Sequence, residues 1–525
     1  MMLSLLQTAR SRTAPGRALL LCTLLLVAGV WTGCDNMLDI EPQGEQTSAS
    51  FFTSADDANR ALVGAYDALQ QQYEVPTYQG APTFLAGYDM VFGEIISDNA
   101  RKGGESRNDQ PDIDDVQSFT VNPNNLYIAK MWSSLYEAVT RSNRILNNVP
   151  NIEMDEAERA DILAQARFIR AYANFYLLQA FGMDPDTNNG PGIVLLTGDV
   201  TIGNADQARS PEPDVWALIE EDLRAAAQEL PPKSALSATE YGRATMGAAN
   251  TLLVKAHIFQ KEWSDAATLA RQVIDSGEYR LADDFGGIFR VSGEHGPGSI
   301  FEINYAQDAN EIEGYYGNVW QASRSTWGFG FKQPTQDLVD AFDSNDPRLE
   351  ATIIRDGEVM PDGTTVSGET SQTGYHNEKI WIPQNLYPSN QGVGDYEGPS
   401  NVRYLRFANL LLWHAEAANE LGNTPAALES LNRVRERARQ NADNPTGVLP
   451  DITTTNQGEL REAIYRERRL ELAMEDLRFF DLMRQGRADE VLADAGFVAG
   501  THERMPIPQR EIDLSDGALQ QNPGY

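Results

Sequence analysis

The sequence predicts a mainly α fold of helical hairpins, broken by long irregular loops and a few short strands. Three observations predict it. Apolar residues recur at i, i+3 and i+4 through nine long stretches. Two of those stretches repeat one another. Between them, from about 283 to 402, the period is lost and Gly, Pro, Asn and aromatic residues accumulate.

The nine helical stretches are 55–72, 127–147, 156–180, 215–230, 244–261, 264–276, 403–421, 424–440 and 459–485. Pro425 follows Thr424, a plausible N-cap, and Gly182, Gly277, Gly422 and Gly486 follow helices as expected C-caps. The repeat aligns "AANTLLVKAHIFQKEWSDAATLA" from Ala248 with "FANLLLWHAEAANELGNTPAALES" from Phe407. Asn250, Leu252, Leu253 and Ala256 fall on Asn409, Leu411, Leu412 and Ala415. Each copy reads as a helix, a short turn and a second helix opening on small residues, the pattern of a tetratricopeptide-like hairpin. Within the irregular span, 298–305 and 379–383 read as short strands and 333–348 as helix-like. Insertions of this kind on a helical frame are where binding function sits.

The N-terminus has a separate character. Arg10, Arg12 and Arg17 precede an apolar run from Ala18 to Val30, too short for a membrane span of roughly 20 residues but suited to a secretory h-region. Gly33 precedes Cys34, which resembles a lipobox, with Trp31 where Leu is usual. Residues 1–33 are therefore expected to be removed and Cys34 to be acylated, anchoring the chain by lipid. The other cysteine, Cys22, lies in the h-region, so the mature chain has no cysteine pair and no disulfide framework. Its stability must come from core burial, for which 525 − 33 = 492 residues are ample.

The formal net charge is −34, or −37 once three leader arginines are removed. Seven Lys stand against 35 Arg. Such a surface repels nucleic acid and anionic headgroups. It also suits a high-salt habitat, in which case dialysis to low salt would unfold the protein.

Segments in order along nearly the whole chain resemble the SusD/RagB family. They include "LDIEPQ", "FFTSADDANRALVGAYDAL", "EIISDNA", "MWSSLYEAVTRSNRILNNVP", "AQARFIRAYANFYLLQAFG", "YGRATMGAANTLLVKAHIF", "SGEYRLADDFGGIF", "PTQDLVDAFDSNDPR", "ALESLNRVRERA", "ERRLELAMEDLRFFDLMRQG" and "RMPIPQREIDL". The insert "DPDTNNG" after Met183 departs from the family pattern. The resemblance implies a SusD-like α-α superhelix. It divides the chain into a family N-terminal part, 34–230, and a C-terminal part, 231–525, within one compact domain. It also implies a lipid-anchored outer-membrane protein facing the cell exterior, with a SusC-like TonB-dependent receptor as partner. Members bind oligosaccharides or, in the RagB branch, peptides, and are not known as an enzyme class.

The residues themselves give no catalytic assignment. His257, His295, His376, His414 and His502 show no metal-ligand spacing, and no nucleophile elbow or phosphate loop occurs. No cofactor or metal is expected. Asp184, Asp186 and Asn188 mimic the start of a calcium loop, but Asn189 and Leu195 stand where Gly and Glu are needed. Glu467, Glu471 and Glu475 recur every four residues, and an ion-pair network outweighs a carboxylate site.

Aromatic residues carry the ligand expectation, because sugar rings stack flat C–H faces on Trp and Tyr. "EGYYGNVWQASRSTWGFGF" supplies Tyr315, Tyr316, Trp320 and Trp327, with Gly and Ser breaking any helical period. A second group is Asp98, Asn99 and Arg101, in a region that contributes to the sugar site in starch-binding relatives; an Asx-type turn is the rival reading. A third is Tyr375, Trp381, Tyr387 and Tyr396. The expected function is capture of an oligosaccharide and its delivery to the transporter. Peptide uptake, an all-α glycosidase and a scaffold lipoprotein are the alternatives.

Overall fold

The computed structural model describes residues 51–70, 74–78, 81–84, 87–198, 207–306, 314–367, 371–387 and 397–525. The leader 1–33, Cys34 and Tyr396 lie outside them. Contacts divide the chain at Thr53, and the architecture below belongs to Ser54–Tyr525.

Helix α1 (Ala55–Asp67) starts at Ser54, whose hydroxyl accepts the Asp57 N–H. α2 (Pro111–Gln117) is short, and α3 (Leu126–Asn148) and α4 (Glu156–Leu177) are long, capped by Asn125 and Asp155. α5 (Glu212–Glu229), α6 (Met246–Phe259) and α7 (Trp263–Asp275) follow. Short α8 (Tyr316–Gln321) and α9 (Gln336–Ala341) sit in the irregular span. α10 (Phe407–Glu420), α11 (Thr424–Gln440), α12 (Gln457–Glu471) and α13 (Arg478–Arg484) complete the frame.

These helices stack in sequence. α3 packs on α4, α4 on α5, α5 on α6 and α6 on α7. α7 then packs on α10, so the two repeated hairpins, α6–α7 and α10–α11, lie side by side. The matching small residues allow it: Ala256, Ala266, Ala415 and Ala427 are all fully buried. No described helix is long and apolar enough to cross a membrane.

Four expectations need correction. α11 is capped by Asn423, one residue before Thr424. Gly182 does not adopt a left-handed cap; a Cβ there would lie 2.2 Å from the Gly192 carbonyl oxygen, so the position is glycine for close backbone approach. Residues 379–383 are not a strand; the strand is Tyr375–Asn377 and a turn of 3-10 helix follows. The stretch 459–485 is two helices, not one. Met474 and Asp476 take positive φ between them, and their N–H groups donate to the buried Glu94 carboxylate at 2.8 and 3.0 Å. A carboxylate almost 400 residues upstream thus stabilises a break that local periodicity hides.

The described strands form two-stranded antiparallel ladders. β1 (Glu74–Tyr78) pairs with β2 (Ala81–Phe84), and β3 (Ala100–Gly103) with β5 (Phe331–Pro334). β4 (Ser299–Ile303) pairs with β8 (Val402–Arg406), and β6 (Ile353–Arg355) with β7 (Tyr375–Asn377). The β3–β5 register, Arg101 opposite Gln333 and Gly103 opposite Phe331, positions the site.

Candidate functional site

The β3–β5 ladder joins segments that the sequence separates by some 230 residues. Past it, the Gly104 N–H donates to the Gly330 carbonyl at 2.8 Å. Gly103 has φ +73°, and a Cβ there would lie 2.3 Å from the same oxygen, so only glycine lets these chains meet. Two bonds tie in a third loop: Gln372 Nε2 donates to the Gly103 carbonyl at 3.1 Å, and the Ser367 N–H to Ser325 Oγ at 2.8 Å. Segments from all three candidate groups therefore converge on one surface.

Trp327 is the candidate platform on that surface. It is half-buried, and its ring centroid lies 5.0 Å from that of Tyr387 at 33°. Burial raises the Tyr387 hydroxyl pKa, and nearby Asp362 adds to it, so the phenol stays neutral. The converging segments also carry hydroxyls and charged groups. Ser323 and Ser325 lie 2.9 Å apart, and Arg324 donates to Asp109 at 2.7 Å. Trp381 is half-buried with Arg290 over its ring at 5.1 Å. The Tyr375 hydroxyl donates to Gln336 at 2.7 Å. Arg101 is exposed on β3. A half-buried aromatic pair with amide, hydroxyl and guanidinium groups nearby can stack a ring and hydrogen-bond its hydroxyls.

Five expected residues take other places. Trp320 is 3% exposed and packs on Phe331 and Phe329 at 4.6 and 5.7 Å, so neither face is open to a ligand. Asp98 is a structural anion: it accepts two bonds from Arg478 at 2.8 and 2.9 Å and lies 3.0 Å from Arg469. Burial alone would raise its pKa, but these arginines outweigh that and hold it below the usual carboxylate range. Asn99 is buried, donating to Glu94 at 2.8 Å and accepting from Arg469 at 2.9 Å. Tyr316 is 5% exposed. Tyr315 packs on Tyr305 at 5.1 Å; both tyrosines border a separate cavity with Asp89 and Tyr404 rather than Trp327.

Other expected groups resolve as structure. Glu467 accepts from Arg348 and Arg435, both at 2.6 Å. Glu471 is ringed by Arg437 at 2.5 Å and by Arg348 and Arg406 at 3.3 Å. Glu475 lies 2.6 Å from both Arg406 and Lys379. The carboxylate of Asp184 accepts its own loop's N–H groups from Asp186 and Thr187. Sequence spacing missed one cluster, Glu220 with His257 and Glu262, whose ligand atoms lie within 4.8 Å of one another. Its polar atoms already have partners: His257 Nδ1 lies 2.6 Å from Glu262, while Gln260 and Arg224 donate to Glu220 at 2.8 and 2.6 Å. Arg324 and Gln372 were also missed; no local signal marks them, because their role comes from loop convergence.

Comparison with known proteins bears on the family and the fold. Residues 297–525 match the model described as "SusD family", and residues 42–257 match "Starch-binding associating with outer membrane". SusD-like protein P38 of Formosa agariphila is 26% identical, over 96% of this chain and 98% of its own. A solved "Laminarin binding SusD-like protein" superposes with a TM-score of 0.75 at 27% identity, over 90% of this chain and 100% of that one. "Surface glycan-binding protein A from Bacteroides thetaiotaomicron in complex with laminarihexaose" shares the fold, with a TM-score of 0.74 at 23% identity, over 90% of this chain and all of that one.

Proposed function

The chain belongs to the SusD family, and we propose that it is a lipid-anchored surface protein that captures an oligosaccharide for a TonB-dependent outer-membrane transporter. The single observation that carries the glycan reading is the half-buried Trp327–Tyr387 pair beside Ser, Gln and Arg side chains. The laminarin-binding relative supports a glycan over a peptide as cargo. Capture needs no bond to be broken, and moderate affinity suits hand-over, since a ligand held too tightly would not pass on. Cys34 supplies the anchor and a SusC-like receptor the partner.

A glycan array read in parallel with peptide pools tests the cargo. Binding to one glycan class, lost in Trp327→Ala with the fold retained, is the expected result. Binding to peptides alone would overturn the glycan reading. Cys34→Ser should release the protein from membranes; persistence there would sink the anchor.

A further inference from the structure

Next to Trp327 lies a cavity of about 20 Å³. Half-buried Thr326 and Trp327 form one part of its wall; buried Val366, Ile382 and His376 and half-buried Trp381 form another, and polar Gln321, Ser323 and Asn377 also line it. Trp381 and His376 carry buried nitrogens without a hydrogen-bond partner, Nε1 and Nδ1. The other His376 nitrogen, Nε2, lies 3.1 Å from Asp356 Oδ1, so Nε2 carries the proton and donates, leaving Nδ1 an acceptor. Burial favours the neutral ring, outweighing the opposing pull of Asp356. The wall thus offers the Trp381 donor and the His376 acceptor, with Gln321 Nε2 a further buried donor without a partner, and a hydroxyl both donates and accepts. A site for one water needs roughly 10–15 Å³. The volume here admits one hydroxyl-sized group and excludes a sugar ring.

We propose that this cavity is a specificity pocket for a primary hydroxyl, the 6-hydroxyl of a hexopyranose whose ring stacks on Trp327. A ring hydroxyl sits directly on the ring and cannot be buried in so small a space without it. A hydroxymethyl group carries its oxygen on an extra rotatable carbon and reaches further. Pentopyranose chains lack that arm and leave the pocket unfilled. The inference rests on the glycan-binding reading above and adds its substrate class.

The test is calorimetry on the full-length protein in detergent, with laminarihexaose and its fully 6-deoxygenated analogue as probes. The wild type should bind the analogue about tenfold more weakly, the loss of roughly 1.4 kcal/mol. Trp381→Phe removes the donor and should lose about tenfold on laminarihexaose but little more on the analogue, since both changes delete one interaction. Val366→Ile, which narrows the pocket and leaves Trp381 in place, should match Trp381→Phe on laminarihexaose at an unchanged melting temperature. Equal binding of the two probes by the wild type, or additive losses in Trp381→Phe, would overturn the pocket. Failure of laminarihexaose to bind would also overturn it, whereas the glycan-capture reading falls only if the array is blank as well.

Discussion

Two polar regions of this molecule use the same residue types to opposite ends. Around α12, Arg348, Arg406 and Arg437 surround Glu471, and every one of these side chains is buried. At the β3–β5 junction, Arg101 is exposed, Trp327 and Tyr387 are half-buried, and the indole N–H of Trp381 has no partner. Where every charge is matched, the polar cluster holds elements together. Where a polar group stays unmatched beside a half-exposed aromatic face, it is open to a further partner. Burial and charge matching distinguish a structural cluster from a candidate ligand surface more sharply than residue type does.

The largest effect is expected in the matched region. Glu471→Ala leaves buried Arg437 without a carboxylate and removes one partner each from Arg348 and Arg406, and should cost about 3–5 kcal/mol in urea unfolding. A loss under about 1 kcal/mol would mean that the cluster is dispensable. The two tryptophans sharpen the contrast, seven positions apart. Trp320→Ala empties a core site and should cost about 3–5 kcal/mol while the remaining folded protein still binds ligand. Trp327→Ala should cost less than about 1.5 kcal/mol yet weaken glycan binding about tenfold or more. A reversed pattern would exchange the roles assigned to them.

Acid should discriminate the regions next. Burial opposes ionisation of Glu471, but Arg437, Arg406 and Arg348 outweigh it and hold its pKa at about 2. A depressed folded pKa contributes stability above the unfolded value, near 4.5, and that contribution disappears as pH falls toward 2. The shift corresponds to roughly 3 kcal/mol. Glu475 and Asp481 are also held low, whereas buried Glu94 and Asp476 are raised and act in the opposite direction. Urea midpoints at pH 7, 5 and 3 should therefore fall mainly below pH 5, and Glu471→Gln should flatten that fall. The smallest effect belongs to Arg101→Ala, which should change stability by no more than about 0.5 kcal/mol. A larger loss of stability would give Arg101 a structural role.

The sequence by itself determined the helical hairpins, their repeat and the ion-pairing character of Glu467, Glu471 and Glu475. Each is a local property: a 3.6-residue period and i, i+4 spacing are set by the chain's own geometry. Family membership was legible for a related reason, since ordered segments span nearly the whole chain. Only the tertiary structure decided which tryptophan is core and which stays half-exposed. Trp320 and Trp327 sit in similar local sequence, but Trp320 meets Phe331 across a turn fixed by pairing with β3. It likewise turned Asp98 into a partner for Arg478, 380 residues away, and broke 459–485 around Glu94. Exposure and charge matching depend on neighbours brought in from distant segments, and no window of the sequence contains them.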